Sequence, residues 1–119
     1  MKRDMDLVRT ILLEIERYPN PEGPGGILQI DNKDQKDVNY HVYLLHNAGL
    51  IVAADASNNG GLEWFPLRLT WAGHEFLDAA RDDGIWQTAK DKVLSRVGSL
   101  SFETLKQLLL RLATEQLFS

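Results

Sequence analysis

The sequence predicts an α+β chain, mostly helical, with one β-hairpin and a C-terminal helical extension. Three observations carry that reading. The run VNYHVYLLHNAGLI, Val38 to Ile51, puts Val38, Val42, Leu45 and Ala48 on one helical face and sets Gly49 where a helix ends in a left-handed residue. Two aliphatics, Leu50 and Ile51, follow at once. SNNGG, Ser57 to Gly61, then separates two apolar runs with residues that tolerate positive φ. Beyond Thr70, three amphipathic segments succeed one another, broken at Gly84 and Gly98.

Asp4 to Tyr18 reads as the first helix. Leu7, Val8, Ile11, Leu12 and Ile15 form its apolar face, Asp4 is the N-cap, and Asp6 suits the positive end of the helix dipole. Pro19 ends it, because the residue before a proline is pushed out of helical geometry. PNPEGPGG, Pro19 to Gly26, is a loop by composition, and GILQID, Gly26 to Asp31, is the expected site of a short strand. Lys33–Asp37 is either one turn of helix or no helix at all. Leu50 to Ala56 and Leu62 to Leu69 are the hairpin strands, with an edge or bulge at Pro66.

Thr70 caps a helix in which Ala72, Phe76, Leu77 and Ala80 face inward. Gly84 breaks it. Ile85 to Val97 is the next helix, with Trp86, Ala89, Val93 and Val97 on one side, and Gly98 closes it. Ser101 opens the last, which carries Phe102, Leu105, Leu108, Leu109, Leu112 and Leu117. Trp64, Phe65, Trp71, Phe76 and Trp86 read as core or interface residues. The expected division is a body over 1–83 and a helical extension over 84–119 that packs on it or mediates oligomerisation.

Composition bounds the function classes. With 44% apolar and 25% charged residues among 119, the chain is globular and large enough for a core. No apolar run reaches the roughly 18 residues of a membrane span, and acids interrupt MKRDMD before any signal-type apolar stretch. The expected location is cytoplasmic, with no membrane partner. The absence of cysteine excludes disulfides, thiolate metal sites and thiol nucleophiles. The net charge of −4 counts against a strongly basic nucleic-acid binder.

The order of residues Val38, Asn39, His41, Val42, Leu45, Ala48, Gly49, Leu50 and Ile51 resembles the recognition helix and first wing strand of winged helix-turn-helix proteins. That likeness includes the metal-sensing arsenic-repressor type and the multiple-antibiotic-resistance type. It implies a winged-helix domain with a β-hairpin wing. MKRDMDLVRTILLEIE, NYHVYLLHNAGLI, RLTWAGHEFLDAARDD and GSLSFETLKQLL resemble the recurring blocks of an uncharacterised bacterial and prophage family known as a domain of unknown function. This second resemblance implies a winged-helix-like body with a helical tail, often of phage or mobile-element origin, and brings no reaction or cofactor.

On that footing the expected function is a non-enzymatic winged-helix DNA-binding protein, a small transcriptional regulator. Gln35 and Asn39 would read base edges of double-stranded DNA. Lys36 and Tyr40 would touch phosphates, Tyr43 would complete the recognition face, and Arg68 or the amino-terminal Lys2 and Arg3 would supply further phosphate contacts. His46 and Asn47 lie near the end of the same face. Asp34 and Asp37 beside it would repel phosphates, and the tip of the hairpin lacks Lys and Arg. The alternative is a protein-interaction module that uses the same scaffold without DNA. A homodimer through the C-terminal helices fits either, and would set two recognition helices about one DNA turn apart.

No catalytic site is expected. GPGG, residues 23–26, lacks the Gly-Lys-Ser/Thr of a phosphate loop, and no serine sits in a nucleophile elbow. No cofactor and no metal are expected. His41 and His46 are five apart and do not share a helix face, while His74 and Asp78 supply two ligands, too few for a site; His41 is expected to fix its helix through an ordinary hydrogen bond.

Overall fold

The computed structural model describes residues 1–97 and 102–117. They form an α+β chain, mostly helical, with five helices and one two-stranded antiparallel sheet among the described residues. The chain divides into two compact units, residues 1–74 and 75–119.

The first unit opens with α1, Met5–Glu16. Asp4 caps it as expected, its carboxylate accepting the backbone N–H groups of Asp6 and Leu7 at 3.0 and 3.2 Å. Leu7, Val8, Ile11, Leu12 and Ile15 are all buried, joined by Met5. From residue 17 to 34 there is no regular element. The short strand expected over 26–31 does not form. Leu28 alone is buried there, and its carbonyl accepts the Gln35 side-chain amide at 2.7 Å in place of a strand partner. No separate second helix lies between α1 and α2. The residues 35–37 form the first turn of α2, Gln35–Asn47, which starts behind the Asp34 N-cap.

Val38, Val42 and Leu45 bury the inner face of α2. Ala48, expected among them, is exposed, because the helix has already reached its cap there. Gly49 has φ 78°. Its N–H donates to the His46 carbonyl and the Leu50 N–H to the Leu45 carbonyl, both at 3.0 Å. These paired bonds are the Schellman closure, which needs a left-handed residue at that point and therefore favours glycine.

The closure delivers Leu50 and Ile51 inward and starts β1, Ile51–Asp55, which pairs with β2, Trp64–Leu69. The register runs from Ile51 opposite Leu69 to Asp55 opposite Trp64. A bulge between Val52 and Ala53 leaves Leu67 without an opposite residue, next to Pro66, as the missing proline N–H predicts. At the tip, Asn58 and Gly61 exchange backbone hydrogen bonds at 3.1 and 3.0 Å.

Two close approaches lock the hairpin in place. A Cβ on Gly23 would sit 2.5 Å from the Pro66 carbonyl oxygen, so the glycine-rich loop lies directly against β2. A Cβ on Gly73 would sit 2.0 Å from the Leu50 carbonyl oxygen. Between them, the Thr70 hydroxyl donates to the Gly49 carbonyl at 2.6 Å and accepts the Gly73 N–H at 3.1 Å.

α3, Trp71–Ala80, begins in the first unit and continues into the second. Phe76, Leu77 and Ala80 are buried as expected. Ala72 is exposed instead, since Gly73 takes the close approach to Leu50. Trp71, expected in a core or interface, is 82% exposed. In the second unit α4, Asp83–Val97, packs on α5, Phe102–Leu117. Gly84 does not separate α3 from α4. It lies within the first turn of α4, whose start is set by the Asp82 carboxylate accepting the Ile85 N–H at 2.9 Å. Phe76 meets Trp86 edge-on at 6.3 Å and Phe102 at 5.1 Å. Ala89, Val93, Leu105 and Leu109 are buried around them. The expected stop at Gly98 and start at Ser101, and the side chains of Val97 and Leu117, lie outside the described residues.

Candidate interaction surface on the second helix and the hairpin

The inner face of α2 is pinned by a histidine. His41 is 1% exposed. Its Nδ1 lies 2.7 Å from the Asp37 carbonyl, and its Nε2 takes the Asp4 backbone N–H at 2.8 Å. A carbonyl can only accept and a backbone N–H can only donate, so the ring is neutral with its proton on Nδ1. The α2 helix is thereby bonded to the cap of α1, where Lys33 also lies 3.9 Å from the Asp4 carboxylate.

The side of α2 that meets the hairpin is held by two amides. Gln35 donates through Nε2 to the Leu28 carbonyl at 2.7 Å and to the Asn39 Oδ1 at 2.8 Å. Asn39, 8% exposed, donates through Nδ2 to the Leu62 carbonyl at 3.1 Å. The sequence expectation placed both on an outward face, ready for base edges. That placement is corrected. The loop at Leu28 and the hairpin at Leu62 each bring a carbonyl to α2 that has no strand partner, and the amides satisfy them.

Lys36, Tyr40, Tyr43 and Asn47 recur at i, i+4, i+7 and i+11 and share the outward face. Lys36 and Asn47 are exposed, the tyrosines half-buried. Tyr40 and Tyr43 belong to an aromatic row that the sequence does not show. Tyr40 and Tyr43 have ring centroids 6.2 Å apart, Tyr43 and Trp64 5.7 Å, and Trp64 and His46 4.9 Å. All four rings are half-buried. His46 is fixed by the Ala53 N–H donating to its Nδ1 at 3.3 Å. Ala53 lies opposite Pro66 at the edge of the bulge. The Trp64 Nε1 is buried and has no hydrogen-bond partner. The spacing Tyr40, Tyr43, His46 was visible in the sequence. The arrival of Trp64 over it depends on the hairpin register and was not.

Charges frame the row. Asp55 lies directly opposite Trp64 and is exposed. The backbone N–H of Ser57 and then its hydroxyl hold the Asp55 carboxyl below the usual carboxylate range. Arg68 is elsewhere on β2, opposite Val52, with its guanidinium 3.4 Å from the Pro21 carbonyl. Lys2 and Arg3 are exposed ahead of α1. The structure therefore groups Lys36, Tyr40 and Tyr43, turns Gln35 and Asn39 to internal use, and leaves Arg68 apart. The tip, Ser57–Gly61, is exposed and uncharged. Among the described residues no group of three or more His, Asp or Glu side chains is placed to hold a metal ion. No helix among them is long and apolar enough to cross a membrane.

No solved structure matches this chain. It is 39% identical over 110 residues to an uncharacterized protein of Haemophilus influenzae, the match covering 90% of this chain and 91% of that protein. Residues 2–99 match the family described as hypothetical protein, DUF2513. With a family match over most of its length and a relative this similar over nine-tenths of both chains, the chain belongs to the DUF2513 family.

Proposed function

We propose that this chain is a non-enzymatic protein-interaction module whose contact surface is the outward face of α2 together with Trp64 of the hairpin. One observation carries the reading. The two amides best suited to read bases are consumed in joining loop, helix and hairpin, while four aromatic rings stay partly open beside them. Tyrosine and tryptophan bury large area at low entropic cost and are enriched at protein contacts. The first unit carries seven basic and ten acidic residues, a balance that disfavours a polyphosphate partner.

Benzoylphenylalanine placed at position 40, irradiated in bacterial cells, tests the proposal. Adducts removed by protease and untouched by nuclease are expected. Nuclease-sensitive adducts, or no adduct above that from an exposed site on α1, would overturn it.

A second reading, a winged-helix DNA-binding regulator, is favoured by the alignment of Lys36, Tyr40, Tyr43 and Asn47 on one outward face beside a hairpin. It requires those four residues, not Gln35 and Asn39, to carry the contact. Retardation of duplex at low salt that Lys36→Glu abolishes would establish it. Pairing of two copies through α5 is compatible with both readings: Leu110 there is 43% exposed. A monomeric mass by light scattering at high concentration would remove it.

A further inference from the structure

We propose that the surface formed by Tyr43, Trp64 and Asp55 receives an arginine side chain from a basic segment of a partner protein. The inference rests on the protein-interaction reading above and names the chemistry of its partner. Three features on one surface carry it. Trp64 lies between Tyr43 and His46, at 5.7 and 4.9 Å, with the rings tilted and not closed into a sealed stack. Each ring is half-buried, so part of its surface remains open to a visitor. Asp55 is the residue directly across the ladder from Trp64, on the same face of the hairpin, where opposite side chains stand about 5 Å apart.

A tilted aromatic pair alone would accept any apolar side chain. The carboxylate at the cross-strand position selects a cation. Ser57 keeps Asp55 ionised by donating to it at 2.9 Å. Arginine fits this combination better than lysine. Its planar guanidinium stacks on indole or phenol while its edge presents paired N–H donors to a carboxylate. Lysine offers a compact, strongly hydrated charge that satisfies one contact at a time. The surroundings agree in sign: Glu63 precedes Trp64, and Asp34 and Asp37 flank Lys36, the one cation on the outward face of α2. The first unit as a whole has three more acids than bases.

The test uses the full chain, ¹⁵N-labelled, titrated with the peptide acetyl-Ala-Arg-Ala-Arg-Ala-amide, with its lysine counterpart, and with a short DNA duplex. The Trp64 indole N–H is identified by its loss in Trp64→Phe. The expected result is a saturable shift of that signal and of its α2 neighbours with the arginine peptide. The lysine peptide should bind at least about twofold more weakly and the Asp55→Asn variant at least about threefold more weakly. Asp55→Asn keeps the acceptor for Ser57, so its fold is preserved, and an unchanged circular dichroism spectrum checks this. An absence of shift up to about 10 mM peptide, an equal response in Asp55→Asn, or shifts on the acids of α1 with Trp64 unmoved would overturn the proposal. So would a response of Trp64 to duplex and not to peptide. Protease-sensitive adducts from position 40 combined with a silent titration would leave the docking reading standing and remove only arginine. Nuclease-sensitive adducts would remove both.

Discussion

His41 sets the terms at the scale of single residues. Its ring joins the first turn of α2 to the N-terminus of α1, and only the neutral form with the proton on Nδ1 makes both bonds. His41→Ala leaves the Asp4 N–H without its acceptor and opens a cavity. We expect a loss of about 2–3 kcal/mol in urea unfolding at neutral pH. Gly49→Ala is milder. The strained φ of 78° costs about 1 kcal/mol, read as a lower urea midpoint with an unchanged slope. Asp55 gives a pH signature. Its carboxyl is held below the ordinary value of 3.8 in the folded state, so the unfolded chain binds the proton first. Its stabilising contribution is full above about pH 4 and is lost as the pH falls through the lower folded value. Urea midpoints of the wild type and Asp55→Asn should therefore differ near neutrality and converge toward pH 2. That His41 fixes its helix by an ordinary hydrogen bond was legible in the sequence, but its partner 37 positions away was not, and the role of Asp55, which depends on a turn conformation, was closed to sequence reading.

At the scale of elements, the periodicity predicted the apolar face of α1 and, in α2, the burial of Val38, Val42 and Leu45, because burial on a helix repeats every 3.6 residues. The Gly49 stop and the Pro66 bulge were equally legible, each following from one residue's backbone chemistry. The outward face was half legible. Lys36, Tyr40 and Tyr43 fall on it, whereas Asn39 lies toward the hairpin, and no local pattern distinguishes an amide that awaits a ligand from one that serves the Leu62 carbonyl. Gly84 misled for a related reason: glycine is a helix breaker by propensity, yet the Asp82 cap places it in a first turn, where its cost is small. The element-scale prediction is a contrast. Asn39→Ala removes the donor to the Leu62 carbonyl and the acceptor of the Gln35 amide, and should cost about 1–2 kcal/mol in chemical unfolding. Lys36→Ala, on the exposed face, should change stability by less than about 0.5 kcal/mol. Equal effects would contradict the assignment of the two residues to different faces.

At the scale of the whole molecule, the net charge of −4 opposes association with a polyanion over the distances that govern encounter. At about 50 mM salt and micromolar protein, we expect no retardation of random duplex in an electrophoretic shift. Retardation that weakens steeply with added salt would instead indicate several released counterions and favour the DNA reading. The composition made this electrostatic argument available before any fold was known. The missing second helix, by contrast, was visible only as a gap: residues 17–34 hold turns, a buried glycine and one inserted leucine, an arrangement that has no periodic signature.

The contact between Gly73 and the Leu50 carbonyl has an evolutionary corollary. A methyl group at position 73 would need the volume that the oxygen already fills, so drift there is closed even to the smallest neighbour of glycine in the genetic code. Descendants that retain the entrance of α3 against the end of α2 must keep the bare backbone at this point. A homologue carrying alanine in its place should have its third helix displaced outward by at least about 1 Å, enough to open the approach of 2.0 Å to 3.0 Å.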